Sequence, residues 1–167
     1  MTYVSKIEEI YDTLQTFITS NIETVLTAYY AVDDTVLLPN FQRIDRGDFQ
    51  VTDLKIFPGI IVKPGQVQIN PSGYDKPLQK DFFLVTLSLW LVYKGTSIAL
   101  LQRQGERYAW AVKEIIDSST YTPTAAILQN AIRRVIAIDW GMVEHTNTGK
   151  IAAAFVDVEL EVLIQRN

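Results

Sequence analysis

The sequence predicts an α+β fold, in which a largely antiparallel sheet of about four or five strands has helices packed on one face and ends in a long C-terminal β-hairpin. Three observations support this prediction. Apolar residues repeat at helical spacing near the N-terminus, residues 81–94 alternate apolar side chains on both faces of a strand, and the last segment alternates apolar and charged residues. Such an order of elements is typical of α+β proteins, and we expect one domain over residues 1–167.

The opening segment is predicted to be helical. Ser5 followed by Glu8 forms a capping box, after which apolar residues recur at steps of three and four. The predicted buried stripe is Ile7, Ile10, Leu14, Ile18, Ile22, Val25 and Tyr29. A second capping box, Ser20 with Glu23, leaves two abutting helices as an alternative, and we favour one helix.

The middle of the chain mixes irregular and strand-like segments. Residues 33–56 lack clear periodicity, which indicates either a binding loop or a surface loop that holds one short strand. Residues 57–63 are predicted to form a strand. Residues 64–80 contain Pro-Gly and Pro-Ser-Gly, which favour a hairpin or a meandering connection with a brief strand at 67–69. Residues 81–94 are predicted to form the central strand, because both of their faces are largely apolar.

A second helix is predicted to start near Thr96 or Ser97. Its expected buried stripe is Ile98, Leu101, Gly105, Ala109, Val112 and Ile116. A glycine inside a helix costs about 1 kcal/mol relative to alanine. Gly105 therefore indicates a close approach of this helix to the sheet. Thr122 as cap and Pro123 as first helical residue predict a short helix that ends at Gln129.

The C-terminal hairpin has two predicted arms joined by a polar turn, in which Asn147 and Gly149 suit positive backbone angles. The first arm is expected to place on one face Ile136, Ile138, Trp140 and Met142. The second arm is expected to place on its apolar face Val156, Val158, Leu160, Val162 and Ile164. The opposite face of that arm carries Phe155, Asp157, Glu159 and Glu161.

Composition and missing motifs exclude several classes of function. The chain has no cysteine and one histidine, which excludes disulfides, thiolate zinc sites and histidine-rich metal sites. A formal charge of −4 argues against general binding to nucleic acid. No secretory signal, membrane-spanning run, phosphate-binding loop or nucleophile elbow is visible. We therefore expect a protein that is not an enzyme, holds no metal or cofactor and does not enter a membrane.

The most ordered polar feature is the acidic stripe, which we define as Asp157, Glu159 and Glu161. Alternate residues of a strand project to the same side, so these three carboxylates share one face. One interpretation is a solvated outer face, and the other is the lining of a channel or a contact with a neighbouring subunit. Partners for the carboxylates, within the sheet or between subunits, would be Arg133, Arg134 and Arg166.

The order of these elements, with a Pro-containing strand (IFPGIIVK) and a last arm that reads IAAAFVDVELEVLI, resembles the tail terminator or tail-completion proteins of long-tailed bacteriophages. The resemblance implies a non-enzymatic virion component that forms a hexameric ring, caps the tail tube and joins it to the head. Its partners would be its own copies, the tail tube protein and the head-tail connector protein, while DNA passes through without specific binding. The location would be the head-tail junction, after assembly in the host bacterial cytoplasm.

The resemblance also implies three contact regions. The acidic stripe would line the channel or meet a neighbouring subunit. A docking loop would include Phe41, Arg43, Arg46, Asp48 and Phe49. The tip of the hairpin would make contacts through His145, Asn147 and Lys150.

Three other functions stay open on the sequence. A head-tail connector or neck protein of the same virion region is the nearest alternative. A soluble ligand-binding accessory domain belongs to a different class, and a small hydrolase would use loop carboxylates such as Asp45 and Asp48.

Overall fold

A computed structural model of the chain describes residues 3–32, 41–46, 56–70, 80–146 and 149–165. The helices are α1 (Tyr3–Val32), α2 (Ile98–Asp117) and α3 (Ala126–Gln129). The strands are β1 (Arg43–Arg46), β2 (Gly59–Asn70), β3 (Lys80–Gly95), β4 (Ile132–Thr146) and β5 (Gly149–Gln165). They form one sheet in the order β1-β2-β3-β5-β4, in which β1 and β2 are parallel and every other pair is antiparallel. The predicted fold class, the central position of β3 and the terminal hairpin are confirmed.

The helices cover one face of the sheet. The main core joins apolar residues of α1, α2 and α3 to one set of alternate residues from the strands. On β5 this set is Ala152, Ala154, Val156, Val158, Leu160, Val162 and Ile164. The alternation predicted for the second arm of the hairpin is therefore confirmed. We call the opposite side, which faces away from the helices, the open face.

The first helix is continuous, as favoured from the sequence, but it starts at neither capping box. Helix α1 begins at Tyr3, so Ser5 lies inside it. The Ser20 hydroxyl donates a hydrogen bond to the carbonyl oxygen of Thr16, 2.7 Å away, which is the usual arrangement of a serine within a helix. The predicted start at Ser5 is therefore wrong, and the alternative of a second helix that starts at Ser20 does not apply. The buried face of α1 is wider than the predicted stripe, since it also contains Tyr11, Phe17 and Leu26.

Strand β2 continues through the Pro64-Gly65 pair, where the sequence predicted a turn. Its register with β3 shifts between Pro64 and Val67, which marks a β-bulge. The Thr86 hydroxyl accepts a hydrogen bond from the Gln66 amide at 2.9 Å and donates one to the Gln66 carbonyl at 3.2 Å. A side chain of the neighbouring strand therefore satisfies the backbone that the bulge leaves unpaired. The short strand considered possible within residues 33–56 is β1.

Helix α2 lies close to the sheet at Gly105, as predicted. A Cβ atom at this position would be 2.0 Å from the Tyr93 hydroxyl oxygen. The predicted stripe is wrong at its first residue, because Ile98 is 62% exposed at the start of the helix. Helix α3 starts at Ala126 rather than at Pro123, which is buried in the preceding loop.

The first arm of the hairpin departs from simple alternation. The register of β4 with β5 shifts between Val135 and Ala137, so Ile136 is the extra residue of a bulge. Ile138 packs against the main core, whereas Ile136 lines a groove on the open face. The prediction that Ile136 shares a face with Ile138 and Trp140 is therefore wrong. Gly149 has the expected positive φ of 142°, while Asn147 lies outside the described residues.

Candidate functional site

The open face concentrates the polar and aromatic residues that folding does not place in the main core. Its centre is the acidic stripe on β5, flanked on one side by β3 and on the other by β4. Asp157 lies opposite Ser88, and Glu159 lies between Thr86 of β3 and Arg134 of β4. The open face is thus a mixed surface of carboxylates, hydroxyls and large apolar side chains.

Arg134 links two members of the acidic stripe. Its guanidinium forms ion pairs with Glu159 and with Glu161, the latter with a distance of 3.0 Å between Nη2 and Oε1. The two glutamate side chains are only 16% and 22% exposed, whereas that of Arg134 is 52% exposed. The cross-strand role predicted for Arg134 is confirmed. The two carboxylates are therefore held in place, and part of their charge is neutralised within the chain.

Arg133 lies on the other face of β4 and does not meet the stripe. Its guanidinium sits 4.8 Å from the centre of the Phe17 ring and donates to the carbonyl oxygen of Tyr121 at 3.4 Å. Burial lowers the pKa of Arg133, while the nearby Asp117 carboxylate acts in the opposite direction. Alternation along the strand explains why adjacent arginines have different partners. Arg166 lies outside the described residues.

Asp157 lines a groove of about 500 Å³ on the open face, between the bulges of β2 and β4. Ile136 of β4 and Trp90 of β3 contribute apolar walls. The ammonium nitrogen of Lys63 lies 3.8 Å from the centre of the Trp90 ring. Within the described part of the chain Asp157 forms no ion pair, so it is the member of the stripe most available to a partner.

Next to this groove, the open face becomes apolar. A second, smaller cluster consists of Ile61, Val92, Ile151 and Ala153, with Phe57, Trp90 and Phe155 packed against it. The rings of Trp90 and Phe155 meet edge to face, with centroids 5.0 Å apart. The four members of this cluster are at most 6% exposed, so this part of the open face is itself a small packed core.

The residues predicted for the docking loop are only partly described. Phe41 packs against Tyr108 with ring centroids 4.7 Å apart, so it is attached to the core. Arg46 pairs with Asp12 of α1 at 2.6 Å between Nη1 and Oδ1. The backbone of Arg43 belongs to β1, while its side chain and residues 47–55, which include Asp48 and Phe49, lie outside what the structure describes. The docking role of these residues stays a prediction.

At the tip of the hairpin, the backbones of His145 and Lys150 face each other across β4 and β5. Lys150 is half-buried, and the side chain of His145 is outside the described part. The structure therefore brings two of the three predicted tip residues together as backbone neighbours. Their contact role stays a prediction.

A groove of about 470 Å³ between α1 and the loop before α3 was missed by sequence reasoning. Its lining residues, many of them hydroxyl-bearing or acidic, include Glu8, Asp12, Thr13, Thr16, Ser20, Thr122 and Thr124. The sequence feature that could have indicated this groove is the helical spacing of Thr13, Thr16 and Ser20 in α1. Among the described residues no group of three or more His, Cys, Asp or Glu side chains is arranged to hold a metal ion.

Comparisons with known proteins find similar chains among the solved structures. No family model matches the chain, and no curated protein matches it. A chain from the virion of a native gene transfer agent particle is similar, with 9% sequence identity and a TM-score of 0.37. The match covers 88% of this chain and 95% of that chain. Within the described residues, no helix is long and apolar enough to span a membrane.

Proposed function

We propose that this chain is a non-enzymatic structural protein of a phage-like virion, a tail terminator or tail-completion protein that forms a ring at the head-tail junction. The observation that carries the proposal is the open face, where an acidic stripe ordered by Arg134 lies among exposed apolar residues. Such a face offers a partner both charge and apolar area.

The apolar residues of this face support a contact role. Ile132, Ile136 and Leu163 are 57%, 52% and 50% exposed. Ile132 lies opposite Glu161 of the stripe, and Leu163 follows Glu161 at the next position on the same face. Single exposed apolar residues are common on protein surfaces, but three of them around one ordered polar patch favour burial in an assembly.

The stripe supports the proposed channel. The three carboxylates and the Arg134 guanidinium carry a net charge of two negative units, and Lys63 in the groove beside Asp157 reduces this to one. Repeated around a ring, this charge would repel DNA phosphates and limit their adhesion during passage. Salt would limit its reach to about 8–10 Å, so the stripe would have to lie close to the channel axis.

The first test is the mass of the purified protein in a concentration series by light scattering, with electron microscopy of the same fractions. Six copies of the 18.9 kDa chain (6 × 18.9) would have a mass of about 113 kDa. We expect rings of this mass, or rings that form when purified tails are added. A protein that neither forms rings nor binds tails contradicts the proposal. Binding to purified heads instead of tails would assign it to the connector or neck proteins.

The second test changes the charge of the stripe without breaking its ion pairs. Asp157→Lys is suitable because Glu159 and Glu161, which pair with Arg134, remain in place. The matched control is Glu23→Lys, the same change at an exposed position of α1. We expect Asp157→Lys to fold but to impair ring assembly or the yield of infectious particles, while Glu23→Lys has little effect. Equal particle yield from both variants would show that the charge of the stripe has no role in ring assembly or DNA passage.

A ligand-binding accessory role is favoured by one observation, the groove of about 470 Å³ between α1 and the loop before α3. Its carboxylates and hydroxyls suit a small polar or cationic ligand. A thermal-shift screen with amines and sugars tests this role, because a ligand that binds only the folded state raises the melting temperature.

A further inference from the structure

Strand β4 forms one border of the described sheet, and it carries large exposed apolar side chains as well as charges. It is 15 residues long and has exposed large apolar residues on both sides. Ile132 and Ile136 are 57% and 52% exposed on the open face, and Trp140 is 50% exposed on the helix-covered face. Long apolar edges of this kind pair readily with another strand, and natural proteins usually protect them with charges or coverage.

The backbone of β4 also has groups that point away from β5. The Val135 amide donates a hydrogen bond to Asp117 Oδ1 at 2.8 Å, so it faces the free border of the sheet. Val135, Ile138 and Trp140 lie opposite Val158, Val156 and Ala154, at steps of two along β5. In an antiparallel ladder such alternate residues orient their backbone groups in the same direction. Ile138 and Trp140 therefore also present their amides and carbonyls to the border.

A second copy of β4 fits this border in one antiparallel register. If Val135 lies opposite Ile138 of the second copy, the outward backbone groups of the two strands meet. The same register places Arg134 opposite Asp139 of the second copy, and both residues belong to the open face because they lie opposite Glu159 and Phe155. The two-fold axis repeats each pair, so every contact occurs twice. Opposite charges directly across an antiparallel pair are stabilising.

We propose that β4 is the contact strand of a two-fold dimer, in which it pairs with β4 of a second copy in this register. Ile132 and Ile136 are covered on one side of the joined sheet and Trp140 on the other. The proposal concerns the free protein and does not rest on the proposed function. A cyclic ring uses two different patches per subunit, whereas a two-fold dimer uses the same patch on both copies.

Asp117 competes with this dimer. Its carboxylate now accepts the hydrogen bond of the Val135 amide and is itself held in an ion pair with Lys113. In the dimer, the carbonyl of Ile138 of the second copy replaces the carboxylate. Asp117 thus occupies an amide that the second copy needs, and its replacement should favour association.

Sedimentation velocity over a concentration series, up to about 1 mM, tests the dimer. Two copies (2 × 18.9 kDa) would have a mass of about 38 kDa, well separated from that of a ring. Asp139→Arg places two like charges opposite each other twice per dimer, and we expect it to weaken association by about tenfold or more. Glu23→Arg, the same change on α1, should leave association unchanged. Asp117→Ala should strengthen it, provided that circular dichroism shows the native fold.

The register is tested by a single cysteine. The chain has no cysteine, so Ala137→Cys introduces the only thiol, next to the two-fold axis. Mild oxidation should join two copies of this variant, whereas Glu23→Cys should remain largely monomeric under the same conditions. A dimer that Asp139→Arg disperses and that Ala137→Cys traps supports the proposal. A monomer in both the wild type and Asp117→Ala, or a dimer insensitive to Asp139→Arg, overturns it. Rings without a 38 kDa species overturn it too, while they support the proposed function.

Discussion

The two faces of the sheet use the same strands under different physical constraints. On the helix-covered face of β5, Val156, Val158 and Leu160 are fully buried, and helical side chains complete the core around them. On the open face, the same strand carries the three partly exposed carboxylates of the acidic stripe between Phe155 and the half-exposed Leu163. The first face is determined by the need to exclude water. The second is buried only in its small apolar cluster, and its remaining apolar residues, such as Ile132, Ile136 and Leu163, stay exposed, which is why we seek binding there.

The largest difference between the faces is expected from leucine truncation within β5. Leu160 is 0% exposed in the main core, and Leu163 is 50% exposed on the open face. Leu160→Ala should lower the free energy of unfolding by about 2–5 kcal/mol, because it removes buried apolar surface and leaves a cavity. Leu163→Ala should lower it by less than about 1 kcal/mol, because half of that side chain already contacts water. Urea unfolding monitored by circular dichroism measures both values.

The matched pair also tests the proposed function of the open face. Leu163→Ala should reduce assembly more than it reduces stability, whereas Leu160→Ala should reduce both together. Equal losses of stability in the two variants would show that Leu163 also belongs to a packed core, and the contrast between the two leucines would then fail.

A smaller difference is expected at two glycines, one against each face. A Cβ at Gly105 would be 2.0 Å from the Tyr93 hydroxyl oxygen, and a Cβ at Gly141 would be 2.0 Å from Cε2 of Phe155. Tyr93 is only 3% exposed in the main core, whereas Phe155 is half-buried, so fewer neighbours oppose a shift of its ring. Gly105→Ala should therefore lower the free energy of unfolding by about 1–3 kcal/mol, and Gly141→Ala should lower it by less.

A second substitution checks the physical cause at Gly105. Tyr93→Phe removes the oxygen nearest to the added methyl group, so the double variant should regain part of the stability lost in Gly105→Ala. Thermal unfolding of the two single variants and the double variant forms a double-mutant cycle. If the stability losses of the two single variants simply add in the double variant, the close approach of α2 to β3 is not the reason for glycine at position 105.

The same contrast explains which parts of the structure were predictable. Periodicity predicts helix α1, the central strand β3 and the buried side of β5. Burial of an element places apolar residues at regular intervals in its sequence. Arg134 could be proposed as a partner of the stripe, since it lies on the adjacent arm of the same hairpin. The ends of elements were less predictable: α1 begins before Ser5, and α3 begins after Pro123.

The errors arise where a contact between distant segments overrides local preference. Pro64 and Gly65 are turn residues, but Thr86 of the neighbouring strand binds the backbone of Gln66 and allows β2 to continue. The bulge in β4 reverses the expected side of Ile136. The groove beside Asp157 depends on both bulges and on Lys63 stacked against Trp90, so no local pattern could have revealed it.

Tyr93 shows whether water reaches the core beneath the helices. Its ionisation should have the smallest effect on stability at neutral pH. Burial raises its pKa to about 12 from an ordinary value of 10.0, and the Glu106 carboxylate adds to the shift. The folded protein thus resists ionisation of this phenol more than the unfolded chain does. The stabilisation is complete below pH 10 and is lost as the pH rises toward 12.

Tyr93→Phe isolates this contribution, because burial also raises the pKa of Tyr11, with Arg46 opposing that shift, and Tyr11 remains in the variant. The free energy of unfolding should fall less steeply with pH in Tyr93→Phe than in the wild type between pH 10 and 12. Below pH 9 the two proteins should show parallel pH dependence, since the phenol is protonated in both states. Parallel curves throughout would mean that water reaches the hydroxyl group, and the helix-covered face would then be less dry than its packing indicates.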